Sequence, residues 1–221
     1  AYFIELHTPG VLVFQETWLT PSTEEFKIAN YKKVSRLDRR DGRQGGGICV
    51  YCKSHLDCLV EVCHSEVAER SWMYLHSDHG IILIGNCYRP PDADDICITS
   101  LSDEINQHLP HVNGIVLMGD FNIHHRKWLR FSSGNTALGE TLKGICDDFT
   151  LNQLVSEPTR QQYLLDLVLS DMPLHVKVLP MIADHKGVFI KIPVDVAPPQ
   201  TVSRHGWIYK QAHWQALRRD L

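Results

Sequence analysis

The apolar positions of this chain come in short blocks separated by turn-forming residues. Val11-Leu12-Val13-Phe14 reads as a buried strand that ends at Gln15-Glu16. A polar stretch follows, with basic residues at Arg36, Arg39, Arg40 and Arg43. Gly45-Gly46-Gly47 then opens a strand over 48–53, and further strands are expected near 58–63, 71–76 and 81–88. Residues 96–109 carry helical spacing at Ile98, Leu101, Ile105 and Leu109 and stop at Pro110. Ile115-Val116-Leu117-Met118 reads as a buried strand ending at Gly119-Asp120. The stretch 136–149 reads as a helix with Thr136 as its N-cap, and later strands are expected at 164–169, 175–180 and 187–192. Many strands and few helices predict an α/β fold, two packed sheets with helices outside. After Pro193 the texture changes: Ala197-Pro198-Pro199-Gln200-Thr201 reads as a linker, and 207–221 is aromatic, basic and helical toward its end. One domain over 1–193 is expected, with 194–221 leading into something else.

Composition narrows the classes. The chain has 221 residues, 43% of them hydrophobic, enough for one sizeable core. A net charge of -4 argues against a generic nucleic-acid coat but leaves room for local basic patches. No apolar run reaches the roughly 18 residues that a membrane span needs, so no membrane partner is expected. The start, Ala1-Tyr2-Phe3-Ile4-Glu5, lacks the basic region of a signal peptide. The seven cysteines lie mostly within apolar runs, which fits buried free thiols in a reducing compartment. A zinc cluster of Cys49, Cys52, Cys58 and Cys63 with His55 and His64 fits poorly. Cys49 and Cys52 stand three apart on one strand and would point to opposite faces.

The chemistry gathers where strands end. Glu16 ends the first strand, Asp120 and Asn122 end the strand 115–118, and Asp184-His185 precedes the last one. Loops at strand ends are held by a rigid scaffold and are frequent sites of catalysis. Asp166 lies within the apolar run Leu164-Leu165-Asp166-Leu167-Val168-Leu169, where a carboxylate needs a partner. Taken singly, each has an ordinary reading: Glu16 as a solvated turn acid, Asp120 as turn chemistry in Gly-Asp-Phe-Asn, His185 as a surface histidine.

The ordered set resembles the endonuclease/exonuclease/phosphatase superfamily, and most closely the apurinic-like endonuclease domain of non-LTR retrotransposon polyproteins. The resemblance rests on Gln15-Glu16-Thr17-Trp18-Leu19, Tyr88-Arg89-Pro90-Pro91 and Gly119-Asp120-Phe121-Asn122. It continues through Glu157-Pro158-Thr159-Arg160, Leu165-Asp166-Leu167-Val168-Leu169 and Ala183-Asp184-His185. It implies a DNase I-like sandwich of two mostly antiparallel or mixed sheets flanked by helices. It also implies a Mg²⁺- or Mn²⁺-dependent phosphodiesterase that nicks DNA and leaves a 3′-hydroxyl to prime reverse transcription. Glu16 would ligate the metal with help from Asp184. Asp120 would act on the attacking water, and Asn122 would hold water or phosphate. His185 would bind the scissile phosphate with Asp166 fixing its tautomer, Tyr88 would contact the phosphate or leaving oxygen, and Thr159 would touch the nucleic-acid backbone.

The resemblance extends to partners. A looser likeness at Arg204, Trp207, Tyr209, Trp214 and Leu217 implies a link to a reverse transcriptase, and action on chromosomal DNA implies the nucleus after synthesis in the cytoplasm. The basic-aromatic stretch His124-His125-Arg126-Lys127-Trp128-Leu129-Arg130 follows Asn122 directly. Arg126, Lys127 and Arg130 are expected near phosphates, against the plainer expectation of a solvated loop with Trp128 in the core. Two departures from the family stand out. Its Asn-bearing first strand has no counterpart before Gln15, which predicts an exposed sheet edge, and Ala183 stands where a serine is usual. The alternatives are another phosphoesterase of the superfamily, or a truncated or decayed domain that binds without cutting.

Overall fold

The computed structural model describes residues 2–24 and 26–196. Helix α1 (Tyr2–His7) leads into β1 (Val11–Gln15), followed by β2 (Tyr31–Leu37), β3 (Ile48–Lys53), β4 (Leu59–His64), β5 (Glu69–Ser77) and β6 (Gly80–Tyr88). Helices α2 (Ile96–Thr99) and α3 (Leu101–His108) precede β7 (Gly114–Asp120). Helix α4 (Ala137–Asp148), β8 (Asn152–Gln153) and β9 (Asp166–Ser170) come next, then the hairpin of β10 (His175–Met181) and β11 (Lys186–Lys191).

The largest sheet has the order β4-β5-β6-β7-β9-β8. Its pairs are antiparallel except β6 with β7, which run parallel because α2 and α3 carry the chain back between them. A three-stranded sheet, β1-β3-β2, packs on this sheet. The β10–β11 hairpin forms its own two-stranded sheet and lays Val176, Val178, Val188 and Ile190 against the same core. The sandwich read from the sequence is therefore present, with the strands outside the main sheet divided between two pieces. Strand β1 pairs with β3 and stands at an edge of this sheet among the described residues. Ile98, Leu101, Ile105 and Leu142 anchor the helices, all but excluded from solvent.

Three local expectations need correction. The polar stretch after Glu16 contains a strand, β2: Ser35 and Leu37 are buried, but a register shift between Lys33 and Ser35 breaks the alternation that would have marked it. The single helix over 96–109 is two helices broken at Ser100, and Leu109-Pro110-His111 is a 3-10 turn, since proline brings no N–H to an α-helical ladder. The two-residue strand β8 had no sequence signal. Thr136 does cap α4, its hydroxyl accepting from Gly139 N at 3.0 Å. Of the free cysteines, Cys63 is exposed and the others are buried, with Cys49 and Cys52 facing different carbonyls, Ser35 and Leu56. Among the described residues no helix is long and apolar enough to cross a membrane. The linker from Ala197 and the likeness over 204–217 lie outside the described residues.

Candidate active site

Strand register does most of the assembly. Tyr88 on β6 stands opposite Asp120 on β7, and Asp120 stands opposite Asp166 on β9. Three reactive side chains thus share one end of three adjacent strands. Gly119 makes this possible. Its φ is 140°, and a Cβ there would lie 1.8 Å from the Cys87 carbonyl oxygen, so only glycine lets β7 approach β6 this closely.

The turn before β11 delivers His185, whose Nδ1 lies 2.7 Å from Asp166 Oδ2. The carboxylate that looked unpartnered in an apolar run is partnered here, and the pairing puts a proton on Nδ1. Thr159 stands behind the pair. Its hydroxyl accepts from the amides of Leu165 (3.2 Å) and Asp166 (3.0 Å), and its carbonyl accepts from Lys186 N (2.7 Å). Thr159 is fully buried, so the expected contact with the nucleic-acid backbone is corrected to support of Asp166 from within.

Asn122 closes on Asp120. Its amide Nδ2 donates to Asp120 Oδ2 (2.9 Å) and to the Arg89 carbonyl (2.9 Å), and its backbone N–H donates to Asp120 Oδ1 (3.2 Å). Arg89 answers: Nη1 donates to the Asn122 carbonyl (3.2 Å), Nη2 to that of Ala93 (3.2 Å), and its backbone N–H to that of Asp120 (2.8 Å). This clamp holds Asn122 at a φ of 47°.

On the other side, Tyr88 Oη donates to Glu16 Oε1 at 2.5 Å. Glu16 and Trp18 have φ of 51° and 57°. The backbone N–H groups of Thr17 and Trp18 donate to the carbonyls of Gly47 (3.1 Å) and Gly46 (2.9 Å). Left-handed backbone in such residues costs on the order of 1–3 kcal/mol each and persists where surrounding structure enforces it, often at functional sites.

The electrostatics follow from this crowding. Burial, then the negative charge of Asp166 and more weakly that of Glu16, outweigh His185 and the Asn122 amide, and Asp120 is pushed up to about 7. Burial pulls the His185 imidazole down, but the hydrogen bond and charge of Asp166, with Asp120, win and hold it above its ordinary value. Tyr88 is raised by burial and by its bond to Glu16. A carboxylate poised near neutrality, a stabilised imidazolium and a phenol donor suit proton transfer from water beside a developing anion.

Other expected residues lie outside this cluster. Asp184, expected as a second metal ligand, is exposed and turns its carboxylate to Arg160 at 2.7 Å. Among the described residues no group of three or more His, Cys, Asp or Glu side chains is arranged to hold a metal ion. Within the cluster, Glu16 offers an exposed carboxylate, a donor that suits Mg²⁺, which takes one or two carboxylates and completes its shell with waters and phosphate oxygens. Arg126, Lys127 and Arg130 are exposed on the loop after Ile123, which meets the 160–164 turn through the His124–Tyr163 ring contact and a Leu164 N to Phe131 carbonyl bond. Trp128 is half-buried, its indole donating to the Gly139 carbonyl at 3.2 Å.

Two contributors escaped the sequence reading. One is the Arg89 clamp, which sits inside the motif Tyr88-Arg89-Pro90-Pro91. The other is Asn86, fully buried, which joins β6 to β1 by accepting from Gln15 Nε2 (2.6 Å) and donating to the Phe14 carbonyl (3.3 Å). Its signal was the same as that of Asp166: a polar residue in the apolar run Ile81–Cys87.

Residues 82–189 match the family described as "Endonuclease-reverse transcriptase". That stretch includes Tyr88, Asp120, Asn122, Thr159, Asp166, Asp184 and His185; Glu16 precedes it. No curated protein matches the sequence. Similar solved structures include the endonuclease domain of TRAS1, a telomere-specific non-LTR retrotransposon, at 16% identity and a TM-score of 0.64, covering 87% of this chain and 90% of that one. An AP endonuclease from Archaeoglobus fulgidus gives 13% identity and a TM-score of 0.54, covering 87% and 92%. The human Nocturnin catalytic domain with bound sulfate anion gives 13% and 0.55, covering 88% and 82%. At such identities the likeness is one of fold.

Proposed function

We propose that this chain, whose fold is that of the endonuclease/exonuclease/phosphatase superfamily, is a DNA-nicking phosphodiesterase of the retrotransposon type. The observation that carries the reading is the convergence of Glu16–Tyr88, Asp120–Asn122 and Asp166–His185 at one end of the sheets. Asp120 takes a proton from the attacking water, a role for which a value near 7 is suited. Asn122 and Arg89 keep Asp120 in place. The His185 imidazolium, charged by Asp166, meets the phosphate oxygens as negative charge builds, and Tyr88 would add a second donor by turning its one proton from Glu16 to the phosphate. Glu16 would hold a divalent cation, Mg²⁺ or Mn²⁺, which when bound supplies positive charge at the phosphate.

In this reading the nick leaves a 3′-hydroxyl that primes reverse transcription, and the domain works joined to a reverse transcriptase on chromosomal DNA in the nucleus. The test is supercoiled-plasmid nicking across a Mg²⁺ titration, with thermal melts alongside. Asp120→Ala should slow nicking on the order of a hundred- to ten-thousand-fold, and His185→Ala on the order of a hundred- to a thousand-fold, both with little loss of stability. Folded variants that nick at the parent rate would overturn the mechanism.

A second reading has one observation behind it: no three metal-capable side chains are grouped among the described residues. A domain that binds DNA without cutting would then nick at no Mg²⁺ or Mn²⁺ concentration.

A further inference from the structure

Single apolar side chains on a protein surface are ordinary. Trp18 is different in how it is held. It is 62% exposed, the most exposed large apolar side chain among the described residues, whereas Trp72 is 1% exposed. Trp18 also stands two residues from Glu16, with its indole Nε1 3.5 Å from Glu16 Oε2. Its backbone occupies the left-handed region and is tied to the Gly46 carbonyl at 2.9 Å. The glycine loop supports the ring: a Cβ at Gly45 would lie 3.6 Å from the indole. The result is an indole facing solvent at the edge of the cluster, on a turn fixed by the glycine loop.

The geometry points to Trp18 as a stacking platform for a nucleobase, a base-binding subsite beside the phosphate on which Glu16, Tyr88 and Asp120 act. The chemistry fits. An exposed indole gains by covering its face with another flat ring, and base–aromatic stacking tolerates any sequence because each base has a π-face. Such a contact requires a base turned out of the helical stack, so the subsite favours unpaired or locally opened DNA over an undistorted duplex. Phosphate contacts carry no information about bases; Trp18 would supply the base contact.

This inference rests on the nuclease reading, and its test separates the two. Binding is measured in EDTA, where no cleavage is needed, using a short single-stranded oligodeoxynucleotide and an abasic strand of the same length. The parent should bind the base-bearing strand more tightly and show saturable quenching of tryptophan emission. Trp18→Phe should lose most of that quenching while keeping affinity within about threefold, since a ring remains. Trp18→Ala should bind the base-bearing strand about five- to 150-fold more weakly and the abasic strand unchanged, so that discrimination between the two disappears. A Trp18→Ala protein that is folded by thermal melt and still discriminates like the parent would overturn the subsite while leaving the nuclease reading standing. A parent that binds neither strand would overturn the subsite, while the nuclease reading stands or falls on plasmid nicking. Equal weakening on both strands would assign Trp18 to holding the Glu16 turn, and would also overturn the subsite.

Discussion

Asp120 sits where an ionised carboxylate is least stable, buried between Asp166 and Glu16 with a value of about 7. An unfolded chain gives up this proton near pH 4. The folded state therefore binds it more tightly, so the contribution to stability is fully present below pH 4 and is lost as pH rises through about 7. Chemical denaturation in EDTA should show stability falling from pH 4 to 8. Asp120→Asn should flatten that fall by an amount on the order of a few kcal/mol, since each unit is worth about 1.36 kcal/mol. A parent and variant with the same slope would show that Asp120 titrates normally. Arg89 invites a second test. Arg89→Met removes donors from the carbonyls of the half-buried Asn122 and Ala93, at a cost toward the low end of about 1–3 kcal/mol. If the clamp positions Asp120, kcat for nicking should fall at least about tenfold, a part of the roughly hundred- to ten-thousand-fold that a general base contributes, with KM little changed; steady-state kinetics beside a melt reads both.

At the scale of elements, the parallel pairing of β6 and β7 is the joint that sets Tyr88 beside Asp120. Gly119→Ala would drive a methyl onto the Cys87 carbonyl at a φ of 140°, and should cost about 2–5 kcal/mol through strain and overpacking. Gly144 is the matched control. It lies within α4 with nothing within 4 Å of a built Cβ, so Gly144→Ala should stabilise by roughly 0.5–1 kcal/mol. Denaturant midpoints for the two variants should move in opposite directions. Strands rich in apolar residues, β3, β6, β7 and β9, were legible because burial on both faces leaves a continuous run. Strand β2 was not, because its lysines and its bulge hide a face whose only fully buried members are Ser35 and Leu37.

Over the whole molecule, the net charge of -4 is misleading about local fields. Arg126, Lys127 and Arg130 stand exposed on one loop, close to the turn that carries Arg160. Double reversal, Arg126→Glu with Lys127→Glu, should weaken DNA binding and reduce the slope of log affinity against log salt by roughly 1–2, close to one for each lost phosphate contact. Binding isotherms at several salt concentrations measure that slope; an unchanged value would return the loop to plain solvation.

The sequence by itself determined the strand blocks, the capped helix α4, and the acids and histidine at strand ends, because burial periodicity and turn chemistry are local properties. It also showed that Asp166 needed a partner, since the cost of a lone carboxylate in an apolar run does not depend on knowing the fold. Tertiary structure alone decided which partner: His185 is nineteen positions away and arrives through the turn before β11. It decided that Asp184 faces Arg160, that Thr159 is sealed beneath Asp166, and that Arg89 rather than another cation braces Asn122. These are questions of register and approach, fixed when β6, β7 and β9 align and when Gly119 lets two backbones nearly touch. A sequence lists the groups that can react; the distances between them come from packing.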